Sequence, residues 1–143
     1  MDRYLDLARS GPVYLRQAPV AEVVVEALFE GVRIGHYRLA AFVLMANHVH
    51  VVLLPLVAPE RLLKGLKGCT ARRANALLGK TGEPFWQRES YDHWVRDSRE
   101  FRRIVDYVEG NPVQAGMVAR PEEYRWSSAW PEWRLRMDGQ ASP

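Results

Sequence analysis

The 143-residue sequence contains one cysteine, Cys69, and lacks any long uninterrupted hydrophobic run. A single cysteine excludes an internal disulfide and a zinc site built from several cysteines, and it is typical of a reducing compartment. No segment reaches the roughly 18 consecutive apolar residues that a membrane-spanning helix needs. The first residues also lack a signal-peptide pattern. We therefore expect a cytoplasmic protein with no membrane partner.

The length and composition predict one domain over residues 1–143. Hydrophobic residues make up 48% of the chain and charged residues 26%, as in an ordinary soluble domain. No linker, repeat or low-complexity segment divides it. Polar residues and prolines dominate from about residue 130, so a loosely held tail is expected there.

Acidic residues are absent between positions 61 and 80, although the net charge of the whole chain is only +3. Residues 59–78 have helical periodicity, with Leu62, Leu63, Leu66, Cys69 and Leu77 predicted on one side. The basic residues Arg61, Lys64, Lys67 and Arg72 fall largely on the other side. Such a face attracts phosphate groups, and a merely solvated basic surface is the alternative.

The other periodicities indicate a mixture of strands and helices. Strands are predicted at 37–45, 48–54 and 91–96, with a short first strand at 12–15. Helices are predicted at 21–31 and 98–110. Asp97 and Glu100 have the spacing of a capping box at the start of the second of these helices, whose apolar stripe is Phe101, Ile104, Val105 and Val108. The pattern predicts an α+β fold.

Two histidines, His48 and His50, interrupt the apolar strand at 48–54. Because side chains alternate along a strand, both face the same way, roughly 6.5–7 Å apart. A buried imidazole needs a polar partner, and one divalent ion held by both rings would supply it. A metal site also needs further ligands. Two separately hydrogen-bonded histidines are the alternative.

The helix at 98–110 offers a phenol and a carboxamide at one edge. Tyr107 lies about 110° around the helix from the centre of the apolar stripe, and Asn111 follows one turn later. If this helix packs near the two histidines, Asn111 supplies an oxygen ligand and Tyr107 a hydroxyl. The alternatives are a half-exposed surface tyrosine and an asparagine that caps the helix before Pro112.

Four segments extend this pattern: MANHVHVV at 45–52, FWQRESYDH at 85–93, IVDYVEGNPVQAG at 104–116 and WSS at 126–128. In this order they resemble the small single-tyrosine transposases, most closely the REP-associated tyrosine transposases. The resemblance covers roughly residues 37–129. Three features depart from it: Ala46 stands where the family usually has proline, the first strand is short, and the Gly-Thr-Trp-Tyr type of motif is missing.

The resemblance implies a ferredoxin-like antiparallel sheet with helices packed on it. It also implies a His-hydrophobic-His nuclease that acts on hairpin-bearing single-stranded DNA. In such a transposase His48, His50 and Asn111 would hold Mg²⁺ or Mn²⁺. Tyr107 would be the nucleophile, nicking and rejoining DNA through a 5′-phosphotyrosine. Related transposases pair into dimers through their sheets, while some REP-associated members act alone, so a homodimer and a monomer both stay open.

DNA contacts are expected from the basic helix, through Arg61, Lys64, Lys67 and Arg72, and from Trp86 with Arg88. An aromatic ring beside a cation suits stacking on an unpaired base, and Trp126 beside Arg125 forms a similar pair. Two other functions stay open: a catalytically idle DNA-binding protein of the same fold, and an unrelated metal hydrolase that uses the histidine pair. A covalent DNA adduct on Tyr107 would exclude both.

Overall fold

The computed structural model describes residues 2–8, 14–86 and 91–140. These residues form strands β1 (Arg3–Ala8), β2 (Tyr37–Leu44), β3 (His48–Pro55) and β4 (Tyr91–Trp94), and helices α1 (Ala18–Arg33), α2 (Pro59–Leu78), α3 (Ser98–Gln114) and α4 (Pro131–Asp138). Short 3₁₀ helices lie at Tyr14–Arg16 and Pro121–Glu123. Within the described residues, no helix combines the length and the apolar character that crossing a bilayer requires.

The four strands form one antiparallel sheet in the order β2-β3-β1-β4. Together with α1 and α2, the chain order is β-α-β-β-α-β, which in this strand order is the ferredoxin-like arrangement. The predicted fold class is confirmed. β1 lies between β3 and β4, so its side chains are neighbours of the histidine strand.

The two faces of the sheet belong to two different cores. Along β3, Val49, Val51 and Leu53 join the cluster formed with α1 and α2. Val52 instead joins the cluster that contains Val108 of α3. Because alternate residues share a face, His48 lies on the α3 side, as do the other even-numbered residues of β3.

The beginning of the chain differs from the prediction. The first strand is β1, which the sequence analysis did not identify, and Tyr14–Arg16 is a 3₁₀ helix rather than part of a strand. Positions 12 and 13 of the predicted strand lie outside the described residues. β1 pairs with β3 on one side and with β4 on the other, so it is stabilised by distant partners that its own six residues do not reveal.

Helix α2 has the predicted bounds, and Gly79 ends it in the left-handed region at φ 69°. The predicted burial of Leu77 is wrong, because that side chain is 53% exposed. Positions four residues apart drift by about 40° around a helix. The buried line that starts at Leu62 and Leu66 therefore ends at Leu78, which packs against the core, rather than at Leu77.

Helix α3 is longer than predicted, since it runs to Gln114 instead of ending near residue 110. Pro112 lies inside its last turn, where the backbone still donates from Ala115 to the carbonyl of Asn111 at 2.9 Å. A proline there removes one donor without ending the helix. Asn111 is therefore an internal helix residue, and its side chain does not act as a C-cap.

The predicted loose tail is also wrong for residues 131–140. Trp133 and Met137 of α4 are buried in the α1/α2 core. The Gln140 side chain accepts from the Leu39 amide at 2.6 Å and donates to the Leu39 carbonyl at 2.9 Å. Only Trp133 and Met137 are buried in this helix while its remaining leucine, Leu135, is exposed, so its hydrophobic pattern is too sparse to identify from sequence.

β2 is an edge strand of the sheet, and the segment that precedes α4 covers its free edge. The Leu44 amide donates to the Trp126 carbonyl at 2.8 Å, and the Ser128 amide donates to the Phe42 carbonyl at 2.9 Å. Unpaired strand edges are where sheets join one another. The homodimer stays a prediction, and a sheet-to-sheet dimer at β2 would first have to displace this segment.

A carboxylate network fastens the start of α3 to β4. Asp97 caps the helix by accepting from the Glu100 amide at 2.8 Å. Glu100 does not complete the predicted capping box; it accepts from the Arg96 amide at 2.9 Å, from the Arg96 guanidinium, and from His93 Nε2 at 3.0 Å. The backbone amide of Arg96, with these side-chain donors, lowers the pKa of Glu100 to about 2.

This network should make the protein less stable in acid. Because the pKa of Glu100 is about 2 in the folded chain against 4.5 ordinarily, its contribution is complete above about pH 4.5 and is lost as the pH falls towards 2. Thermal unfolding of the wild type and Glu100→Gln from pH 7 to 2 should show curves that converge in acid. Glu132→Gln, an exposed control, should follow the wild type. Parallel wild-type and Glu100→Gln curves would contradict this account.

Candidate active site

His48 and His50 lie side by side on the α3 face of the sheet, as strand alternation predicts. Their ring centroids are 4.6 Å apart and the rings are nearly perpendicular, at 87°. His50 is only 4% exposed, whereas His48, at the start of β3, is partly open to solvent. The two imidazoles are therefore close enough to act on one bound group.

Each histidine has a partner at Nδ1. His48 Nδ1 lies 2.9 Å from Oδ1 of the neighbouring Asn47. His50 Nδ1 lies 2.5 Å from the hydroxyl of Tyr4, whose ring is nearly parallel to the imidazole with a centroid distance of 5.7 Å. On the same side, Asp6 Oδ2 is 3.8 Å from His50 Nδ1. These contacts leave the two Nε2 atoms as the nitrogens for a ligand.

Burial keeps His50 neutral at physiological pH. Removal of the imidazole from water lowers its pKa to about 4; the carboxylate of Asp6 opposes this effect and nearby His48 adds to it. Neutral imidazole is the form that binds metal ions. Burial therefore keeps His50 in the protonation state that a metal ligand needs.

Helix α3 places Tyr107 over the histidine pair. The Tyr107 ring is 5.8 Å from that of His50, centroid to centroid, in an edge-on arrangement, and the side chain is 55% exposed. Ala115, two turns later, lines a cavity together with His48. Asn111 is four residues from each of them, so it lies between Tyr107 and Ala115 on one helix face.

The cavity beside His48 has a volume of about 560 Å³. Its lining includes Arg16, Met117, Tyr124 and Trp126, and it contains no acidic side chain. Four other cavities in the described part of the chain each include at least one carboxylate. A negatively charged ligand here meets the charge of Arg16 and no carboxylate among the lining residues.

The candidate donor atoms are the imidazole nitrogens of His48 and His50 and the side-chain amide oxygen expected from Asn111. Across residues 2–8, 14–86 and 91–140, no three side chains of the His, Cys, Asp and Glu types are grouped closely enough to hold an ion. Two imidazoles with an amide oxygen fit Mn²⁺, and less closely Mg²⁺, which prefers oxygen ligands. Such a neutral set leaves the charge of an ion available to a phosphate.

The basic residues of α2 are not brought to the histidines. Arg61, Lys64 and Arg72 are exposed, but α2 packs on the opposite face of the sheet. Lys67 is only partly exposed, and burial lowers its pKa. A ligand that touches both this helix and the histidines has to pass around an edge of the sheet.

The aromatic candidates have different surroundings. The indole of Trp86 donates to the Thr70 hydroxyl at 2.7 Å and packs against the α1/α2 core, while Arg88 lies outside the described residues. Trp126 lines the cavity beside His48, and the guanidinium of Arg125 lies 4.5 Å from its ring centroid. Trp126 is therefore closer to the candidate site than Trp86.

Sequence reasoning missed Tyr4 and Asp6 because it missed β1. The register places Asp6 directly opposite His50, with Tyr4 two residues further along the same face. The alternation of Leu5 and Leu7 with more polar residues was the available signal. Only the pairing of the strands shows that these side chains belong beside the histidines.

Comparison with solved structures identifies the fold. A REP-associated tyrosine transposase, solved bound to a REP hairpin, superposes on 99% of this chain and 86% of its own with a TM-score of 0.75 and 17% sequence identity. The chain has the fold of this transposase. A candidate transposase from Deinococcus radiodurans matches 77% of this chain and 89% of its own, with a TM-score of 0.57 and 20% identity.

Sequence comparison covers less of the chain than structural comparison does. No family model matches the chain. An uncharacterized protein of Haemophilus influenzae is 31% identical over a match that covers 53% of this chain and 54% of the relative. The chain thus matches about half the length of this relative, and the fold expected from the resemblance to REP-associated transposases is confirmed by structure rather than by sequence.

Proposed function

We propose that the protein is a metal-dependent transposase that nicks and rejoins hairpin-bearing single-stranded DNA. The observation that carries this proposal is that α3 places Tyr107 against His50 and its C-cap residue Ala115 beside His48, with Asn111 midway between these two positions. It puts a solvent-accessible phenol beside the imidazole of His50, which in turn lies against that of His48. A single-tyrosine nuclease needs these groups together, and the fold is that of a transposase.

The ligands in this proposal are His48 and His50, through Nε2, and the side-chain oxygen of Asn111. A bound Mg²⁺ or Mn²⁺ would neutralise charge on the scissile phosphate and favour attack on it. The position of Asn111 between Tyr107 and Ala115 supports its role, because its neighbours on that face contact His50 and share a cavity with His48.

The role proposed for Tyr107 is nucleophilic attack. Its phenol oxygen forms a bond to phosphorus while the bond from phosphorus to the 3′ oxygen of the preceding nucleotide breaks. The phenol loses its proton and the leaving 3′ oxygen gains one, giving a 5′-phosphotyrosine and a free 3′-OH. Attack of a 3′-OH on this adduct rejoins the strand without ATP, since the phosphotyrosine retains the energy of the bond.

The substrate class follows from the surroundings of the site. The cavity beside His48 has no carboxylate and includes Arg16 together with the aromatic side chains of Tyr124 and Trp126. Unpaired bases stack on aromatic side chains while cations accompany the backbone. The proposed hairpin specificity is supported by the neighbour that was solved bound to a REP hairpin.

The first prediction is a covalent adduct. Wild-type protein, a DNA hairpin with unpaired flanks, and Mg²⁺ or Mn²⁺ should give a protein–DNA species that survives denaturation. Tyr107→Phe should abolish this species and leave hairpin affinity within about twofold, because it removes one hydroxyl from an exposed ring. Denaturing gels and peptide mapping by mass spectrometry measure the adduct and its position.

Tyr91→Phe is the control, since Tyr91 is the rival nucleophile in the sequence and should be dispensable. An adduct of full yield in Tyr107→Phe, or its loss in Tyr91→Phe, would overturn the assignment. Hairpin binding without any adduct in the wild type would indicate the idle DNA-binding protein instead. Metal-dependent hydrolysis that survives Tyr107→Phe would indicate the unrelated hydrolase.

The second prediction concerns the exposed basic face of α2, which we propose contacts the DNA backbone away from the histidines. Lys64→Gln should weaken binding of a hairpin and of a scrambled strand alike. It should also lower the magnitude of the slope of log affinity against log salt concentration by roughly 0.7 to 0.9 per lost phosphate contact. Affinities measured across a salt series give both quantities.

Arg102→Gln is the matched control, because Arg102 is an exposed cation on α3, on the other side of the sheet. It removes the same charge without touching α2. If Lys64→Gln leaves the slope unchanged while Arg102→Gln lowers it, the phosphate contacts beyond the active site lie along α3 rather than α2. The basic face of α2 would then be a solvated surface.

A further inference from the structure

Two side chains of β1 approach the same nitrogen of His50. The Tyr4 hydroxyl lies 2.5 Å from Nδ1, and Asp6 Oδ2 lies 3.8 Å from it. The antiparallel register accounts for both contacts, since it pairs Asp6 with His50 and Tyr4 with Val52. The environment of this ring nitrogen is thus set by β1, a strand that contributes none of the proposed metal ligands.

The position of one proton decides whether His50 can bind a metal ion. A neutral imidazole carries its proton on one nitrogen, and only the other nitrogen has a lone pair for an ion. The Tyr4 hydroxyl can either donate or accept, so it does not select a tautomer. A carboxylate oxygen only accepts, and its negative charge favours the proton on Nδ1.

The carboxylate of Asp6 is poorly accounted for by stability alone. Its Oδ1 atom is buried and has no hydrogen-bond partner among the described residues, and a buried polar atom without a partner is destabilising. Asp6 is also not grouped with His48 and His50 as a third ligand within the described residues. A role that acts through His50 fits both observations.

We propose that Asp6 is a positioning residue: it holds the proton of His50 on Nδ1 and so keeps Nε2 free for the divalent ion. This inference rests on the metal site of the proposed function. Ligating histidines commonly give their other N–H to a carboxylate, and loss of such a partner typically weakens metal affinity 10- to 100-fold. Tyr4 holds the Nδ1 edge of the ring through its hydroxyl.

The tautomer can be read directly in the metal-free full-length chain. Nitrogen-15 chemical shifts of the His50 ring, assigned by comparison with His50→Gln, should show a protonated Nδ1 and an unprotonated Nε2. Asp6→Asn should move the shifts towards the opposite tautomer, because the amide can donate to Nδ1. A wild-type ring with its proton on Nε2 overturns the proposal, regardless of the nitrogen-15 shifts of the variants.

Metal binding gives an independent readout. Calorimetric titration with Mn²⁺ should show an affinity roughly 10- to 100-fold weaker in Asp6→Asn than in wild type. Tyr4→Phe should lose less, because Asp6 still selects the tautomer. Asp138→Asn, which removes the same charge from an exposed position on α4, should bind as wild type.

Equal Mn²⁺ affinity in the wild type and Asp6→Asn overturns the role of Asp6 and leaves the metal site in place. Equal affinity in the wild type and His48→Ala, or no binding at all, rejects the metal site itself and the inference with it. Thermal unfolding of each variant confirms that the comparison is between folded proteins. The two failures are thus distinguishable without any DNA substrate.

Discussion

His50 is almost completely buried between β1 and α3, and a buried imidazole is stable only if its polar atoms are satisfied. Tyr4 satisfies one nitrogen by a hydrogen bond at one edge of the ring, with the two rings nearly parallel at 7°. The ring of Tyr107 covers another side. A central strand and a crossing helix therefore meet at one side chain, and the geometry of the candidate site depends on that contact.

The ferredoxin-like topology explains why the contact is possible. Both crossover helices, α1 and α2, lie on one face of the sheet, which leaves the other face to α3. His48 and His50 point to that second face and meet the helix that carries Tyr107 and Asn111. In the proposed function this separation affects DNA binding, since the most basic helix lies on the far side of the sheet from the histidine pair.

Local periodicity was sufficient for much of this arrangement. The two-residue period of β3 put His48 and His50 on one face, and the helical period of α3 put Tyr107 and Asn111 on one edge. Such patterns involve only neighbours in the chain, so the sequence predicts them well. The resemblance to REP-associated transposases predicted that this face of β3 and this edge of α3 meet. The solved neighbour confirms the fold.

What the sequence did not reveal depends on distant contacts. β1 is held by pairing with β3 and β4. Only that pairing places Tyr4 and Asp6 beside His50. α4 was missed because two buried residues, Trp133 and Met137, hold a polar helix onto a core made by other segments.

Crystals of the wild-type protein soaked with Mn²⁺, with diffraction recorded on both sides of the manganese absorption edge, would locate the ion directly. The account predicts an anomalous peak within coordination distance of Nε2 of His48, Nε2 of His50 and the side-chain oxygen of Asn111. A peak at a cluster of carboxylates elsewhere, with none beside the two histidines, would contradict it.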